Sequence, residues 1–229
     1  MAPARFFGPG FLSFLTQLAR NNNREWFQAN KARYESEVRD PMLLFIGALA
    51  PELRKLAPHF IVDASPVGGS MMRIHRDIRF ARDKSPYKTA VAAHFQRAGK
   101  KGDSLPAFYL RLAPGSSTVG AGVWRPEPRV LRRIRDAMSE DSRRWQRITS
   151  RKTFGSSCGM VGESLKRIPA GYDPESPVAE DLKRRDFAIG APLTDRHVLS
   201  AQVLDTVVEA YRSFTPFVAF LCEATGVDL

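Results

Sequence analysis

Met71-Met72-Arg73-Ile74-His75-Arg76-Asp77-Ile78-Arg79-Phe80-Ala81-Arg82-Asp83-Lys84-Ser85-Pro86-Tyr87-Lys88 is the stretch on which the fold turns. Its first half alternates with period two. Met72, Ile74, Ile78 and Phe80 fall on one face, and Arg73, His75, Asp77 and Arg79 on the other, which predicts a strand over 71–80. Arg76 breaks the pattern by falling on the apolar face. Residues 89–96 also alternate, with Val91, Ala93 and Phe95 on one side and Ala90, Ala92 and His94 on the other. The Asp83-to-Pro86 turn joins the two into a hairpin. Matching the apolar faces restricts the register, and one allowed register sets Ile74 opposite Phe95, Ile78 opposite Val91, Arg76 opposite Ala93 and His75 opposite His94.

Further strands are predicted at 60–62, 108–112 and 118–124, with turns at Gly68-Gly69, Gly99 to Gly102 and Pro114-Gly115. These short connections suit an antiparallel meander rather than crossover units. Upstream the period changes to that of helices. Phe11, Phe14, Leu15 and Leu18 share one helical face, and Asn22 with Glu25 has capping-box spacing before a second helix. Asp40-Pro41 marks a third helix start and Pro58 its end. Downstream, 129–148 reads as one long amphipathic helix. Residues 153–192 read as irregular, and Ser200 caps a last helix that reaches Glu223 and bends at Pro216. The expectation is one α+β domain over 1–229. Residues 1–58 form a helical layer, 59–125 an antiparallel sheet of four or five strands, and 126–229 helices with an irregular segment.

The bulk numbers narrow the function classes. With 43% hydrophobic and 26% charged residues over 229 positions, the chain has the composition of a globular protein. No apolar run reaches the roughly 20 residues that cross a bilayer. Gly8-Pro9-Gly10 interrupts the apolar N-terminus, which excludes a signal peptide. A cytoplasmic protein without a membrane partner is expected. Cys158 and Cys222 form no CxxC pair or zinc spacing, so reduced thiols are the plain reading. The 35 Lys and Arg outnumber 24 Asp and Glu, for a net charge of +11. That field favours anionic partners without choosing among them.

The hairpin gathers forked and ammonium donors suited to phosphate or carboxylate. Arg73, Arg76, Arg79, Lys84, Tyr87 and Lys88 are the candidate ligand-binding residues, with Lys166, Arg167 and Tyr172 closing the pocket from a second segment. A buried Arg76 needs a carboxylate, for which Asp83, Glu25 and Glu163 are candidates. If there is chemistry, Asp77 or Asp83 is the candidate general base. The residues name no cofactor and fix no oligomeric state.

The same stretch resembles the hallmark of a widespread family of bacterial and fungal conserved hypothetical proteins with a domain of unknown function. Its signature looks like R-x-x-R-D-x-R-F followed by D-K-x-P-Y-K. Asn21 to Phe27 and Gly162 to Tyr172 are similar to two further family patterns. The resemblance implies no activity, cofactor or catalytic residue. Ser176-Pro177 stands where the family pattern has His-Pro.

Other signals are weaker. Ser85 and Lys88 have SxxK spacing but lack a KTG partner strand. His75, His94 and Asp77 offer three potential metal ligands if the two histidines face each other, though a solvent-facing pair is the commoner arrangement, and no metal is expected. Gly115, Gly120 and Gly122 read as turn and bulge glycines. The arginines of 129–151 are interrupted by Asp136, Glu140 and Asp141, so a nucleic-acid module built on that helix is the alternative to anion binding. A scaffold or interaction protein, with every hairpin charge paired internally, is the other.

Overall fold

The computed structural model describes residues 5–97, 104–150 and 158–229. The expected Gly99-to-Gly102 turn and Arg151 lie outside them. Helix α1 (Pro9–Arg20) buries Phe11, Leu12, Phe14, Leu15 and Leu18. Helix α2 (Arg24–Ala29) follows, and here the capping expectation fails. Asn23, not Asn22, caps it by accepting the Trp26 amide at 2.9 Å.

Asp40-Pro41 does not start a new helix. Helix α3 (Lys31–Tyr34) passes through a π turn (Glu35–Arg39) straight into α4 (Asp40–Leu56). Pro41 has no amide hydrogen, and its ring crowds the preceding turn. The wider turn accommodates it, with the Asp40 amide reaching back to the Glu35 carbonyl.

Among the described residues the sheet has five strands, all antiparallel: β1 (Val91–Gln96), β2 (Ala107–Leu112), β3 (Ser117–Val123), β4 (Gly159–Val161) and β5 (Phe187–Leu193), in the order β1-β2-β3-β5-β4. The protein is α+β as expected, but β4 and all of β5 except Leu193 fall within 153–192, a stretch expected to be largely irregular. Residues 60–62 and 71–80 supply none, contributing only isolated bridges of Phe60 with Arg97, Met71 with Ala93 and His75 with Tyr87.

The expected long helix is broken. Helix α5 (Pro128–Glu140) ends at Asp141, whose side chain caps α6 (Ser142–Ile148) by accepting the Arg144 amide. After α7 (Ala179–Leu182) and β5, Thr194 and His197 form a capping box on α8 (Asp195–Val198). Helix α9 (Val203–Thr225) runs through Pro216 with no side-chain cap, so Ser200 does not cap it.

One face of the sheet holds the core. Phe95, Phe108, Leu110, Val119, Phe187 and Ile189 are buried there, and α9 packs across β3 and against α4 and α5. The other phase of each strand points away from that core. It carries His94 on β1, Tyr109 and Arg111 on β2, Thr118, Gly120 and Gly122 on β3, and Gly190 on β5.

The β3 glycines have a backbone cause. A Cβ on Gly122 (φ +128°) would stand 2.2 Å from the Phe187 carbonyl oxygen, and one on Gly120 would stand 2.7 Å from that of Ile189. Strand β5 comes too close for a side chain. Gly115 also has a positive φ (+65°) but nothing near its missing Cβ. Gly115→Ala is therefore expected to cost about 1–2 kcal/mol, the left-handed backbone penalty. Gly122→Ala adds a backbone collision and is expected to lower the urea midpoint more. Equal midpoints would remove the close-approach explanation.

Candidate functional site

The 71–88 segment is a loop-like ribbon fixed at two points. Near its start, the Met72 amide donates to the Ala92 carbonyl and the His94 amide to that of Ser70. Near its end, the Arg76 amide donates to the Pro86 carbonyl and the Lys88 amide to that of Ile74. Between the two bridges, residues 72–74 stand opposite 88–92, so the strands are out of step. The expected register does not form. His75 faces Tyr87, while His94 faces Tyr109. The two histidines are not opposed. Among the described residues, no three His, Cys, Asp or Glu side chains gather for a metal.

The tip is exposed. Phe80, expected on the buried face, is 95% exposed, and the Arg79 guanidinium lies 5.9 Å from its ring centre. Arg79 grips Asp77 with two hydrogen bonds of 3.0 and 2.7 Å. That pairing, with the Arg79 amide, pulls the Asp77 carboxyl down to about 2. Arg76 binds Asp83 at 2.5 Å and the Ser85 carbonyl at 3.1 Å. The Ser85 hydroxyl and amide, then Arg76, hold Asp83 well below the usual carboxylate range. Carboxylates so stabilised as anions are poor proton acceptors near neutrality. The geometry thus makes Asp77 and Asp83 counterions. Lys84 donates to the Ile78 carbonyl at 3.0 Å.

Tyr87 is not a surface donor. Its ring is 2% exposed and stacks on Phe27, with centres 4.0 Å apart. The Asn22 side chain completes the anchor. Its amide donates to the Tyr87 carbonyl at 2.9 Å, and its oxygen accepts the Tyr87 amide at 3.0 Å. This is the partner Asn22 takes instead of the helix cap.

A cavity of about 520 Å³ lies between this ribbon and β2. Its lining includes Asn22, Arg76, Asp83, Ser85, Lys88 and Arg111. The Lys88 ammonium donates to the Arg73 carbonyl at 2.9 Å, and Arg111 to the Ser116 carbonyl at 2.6 Å. A carbonyl satisfies a donor but leaves its charge standing. Burial, then the nearby Arg73, push the Lys88 ammonium below its ordinary value.

A second hollow, about 1240 Å³, lies over the outer face of the sheet. Met72, Tyr109 and Arg111 line both, so the two hollows adjoin at these residues and are treated together as a groove. Its walls include Ile61, Trp124, Arg125 and Val161.

The structure therefore brings Arg76, Asp83, Tyr87 and Lys88 to one cavity. Arg73, Arg79 and Lys84 are not among its lining residues. Nor does the second segment close it. Lys166 and Arg167 line neither hollow, and the Tyr172 hydroxyl is bound to Asp136 on α5 at 2.7 Å. Sequence reasoning missed Arg111 and Tyr109, although both sit in the polar phase of Ala107–Leu112. It also missed Asp186. This buried carboxylate accepts the Arg125 amide at 2.8 Å and the Glu163 amide at 2.9 Å, tying the 162–172 segment to the groove's rim.

The family described as conserved hypothetical protein (DUF2461) matches residues 10–220, and the chain belongs to it. No curated protein matches the chain. Among the described residues, no helix is long and apolar enough to cross a membrane.

Removing the Asn22 carboxamide leaves both half-buried polar groups of Tyr87 without their partner. Asn22→Ala is expected to cost about 1–3 kcal/mol by chemical denaturation. Asn22→Asp keeps one acceptor but faces the Tyr87 carbonyl with negative charge, so it is expected to rescue little. Amide exchange of Tyr87 checks the site directly and should accelerate in both variants.

Proposed function

We propose that this protein is a cytoplasmic anion-binding domain that takes a phosphate or carboxylate group between the 76–88 ribbon and β2. The observation that carries this reading is the charge lining the smaller cavity. Arg76, Lys88 and Arg111 line it with one carboxylate, Asp83, which is already held by Arg76 and Ser85. The lining keeps a positive surplus in a concave, half-buried place, where charge-assisted bonds are strongest. The free Cys158 and Cys222 agree with a reducing compartment.

The ion pairs of the tip favour a scaffold role for that part alone. Arg79 is paired with the Asp77 carboxylate, is exposed and lies outside the cavity lining. The two ends of the same motif thus separate into structure and site.

Thermal unfolding with inorganic phosphate, pyrophosphate and citrate tests the proposal. At least one of these anions is expected to raise Tm. Lys88→Met and Arg111→Met should each abolish the shift, whereas Arg79→Ala should keep it. A shift that survives both Met variants, or no shift with any of the three, removes the assignment.

The pH dependence follows from Lys88. Its folded-state pKa lies below the ordinary 10.5, because burial and Arg73 disfavour the charge. An anion favours the protonated ammonium, so binding takes up a proton and weakens as pH rises into the alkaline range. Lys88→Arg stays charged across that range. Phosphate affinity measured by calorimetry from pH 7 to 10 should fall in the natural protein and fall less in Lys88→Arg.

A further inference from the structure

We infer that the whole groove binds single-stranded RNA, with one backbone phosphate at Lys88 and Arg111 and bases laid against Tyr109 and Trp124. This rests on the anion-binding reading and extends it, because the same cation end becomes one station of a longer site.

The length of the groove comes first. Tyr109 and Arg111 are two residues apart in the same phase of β2, so about 7 Å separates them. Thr118 is the β3 residue opposite Arg111. Trp124 follows six positions further along, about 20 Å away for extended chain. A sugar phosphate or a mononucleotide does not reach from one end to the other. An extended polyanion with planar rings does.

The chemistry of the walls comes second. Strand-tracking sites combine cations for the backbone with aromatic faces for the bases. Here Lys88 and Arg111 keep their charge, and Arg125 adds a third cation at the far rim. Of the two carboxylates in the lining, one is neutralised and the other keeps its charge, which leaves the cations in excess. Asp83 holds Arg76, and Asp63 accepts the Ser65 amide at 2.8 Å. Trp124 is 57% exposed, at the end of a strand where burial would be the ordinary fate of so large a ring. Arg125 is the one non-glycine with a positive φ (+48°) among the described residues, and the buried Asp186 holds its amide. A strained turn fixed by a buried carboxylate, presenting an exposed indole at a groove's edge, fits a placed contact. Ile61, Met72 and Val161 are also exposed along the groove, which adds apolar surface for sugar and base edges. Gln96 and Thr118 line the floor as hydrogen-bonding groups suited to a ribose 2′-hydroxyl.

The test is fluorescence anisotropy of the full chain with a labelled 12-nucleotide uridine-rich RNA, the matching DNA strand and a duplex, at two salt concentrations. The RNA strand is expected to bind tightest, with affinity falling steeply with salt. Trp124→Ala should weaken binding five-fold or more, in line with loss of one stacked base. Trp124→Phe should restore most of it. Arg111→Met should weaken binding and reduce the salt slope by about one. Arg143→Ala, on the exposed side of α6, should change nothing. Trp124→Ala should also keep the Tm shift with phosphate, which shows that it is folded and separates the groove from the anion end. If phosphate stabilises the protein but no strand binds, the RNA inference falls and the anion reading stands. If neither binds, both fall. DNA or duplex binding as tight as RNA overturns the RNA assignment. So does RNA binding that ignores Trp124 and Arg111 but responds to Arg143.

Discussion

The ribbon at 71–88 depends on a single carboxamide. It has too few ladder hydrogen bonds to be a strand, with two isolated bridges along its length. Asn22 supplies the missing pair by bonding both polar groups of Tyr87. A side-chain amide has the same donor and acceptor as a peptide, so it can stand in for a neighbouring strand. Because Asn22 sits in the turn between α1 and α2, the bond ties the helical layer to the ribbon. The Phe27–Tyr87 stack closes the same joint with apolar contact. Lys88 is the next residue after the clamp, so its place on the wall of the cavity that Arg111 also lines follows from that joint.

Much of this fold was legible. The helical stripes of α1, α4 and α9 and the alternation of β1 to β3 each match a single period, and the structure keeps them. The failures have physical causes. Asn22 and Asn23 are chemically identical, and local spacing cannot show which one caps a helix when the other has a partner 65 positions away. The ribbon alternates like a strand, yet Phe80 is exposed and the pairing slips between its bridges. Alternation reports a preference for two faces, and it says nothing about whether a neighbour is in step. Strand β5 was hidden by Gly190 and Pro192, which argue against a strand interior. Among the described residues, strand β4 pairs with β5 only as far as Gly190, short of Pro192.

The groove shows how a packing constraint shapes an open surface. Gly120 and Gly122 are required because β5 runs too close to β3 for a Cβ. Their side effect is a floor without side chains in the centre of the sheet's outer face. The residues that flank it, Tyr109, Arg111 and Trp124, then line an open trough. No local motif announces such a site, because its parts come from separate strands and become neighbours only through register. Of the candidate site, the sequence showed the cations of the ribbon and a strand at 108–112, but not that Tyr109 and Arg111 of that strand share their cavity, nor the trough beyond.

The net charge of +11 is distributed in the same spirit. The arginines of α5 and α6 look in the sequence like a surface for nucleic acid. In the structure, Arg133 reaches the Thr225 carbonyl at the end of α9, Arg135 is buried with a bond to the Arg184 carbonyl, and Arg144 grips Glu223. Cations at a helix C-terminus meet its partial negative charge, so Arg133 steadies α9 as it crosses the core. These groups join elements. Lys88 and Arg111 also donate to carbonyls, but they do so on the wall of a cavity, where an anion can approach them. What separates a staple from a site is therefore not the density of arginine. It is whether a charge left unneutralised by its hydrogen bond also faces an accessible hollow.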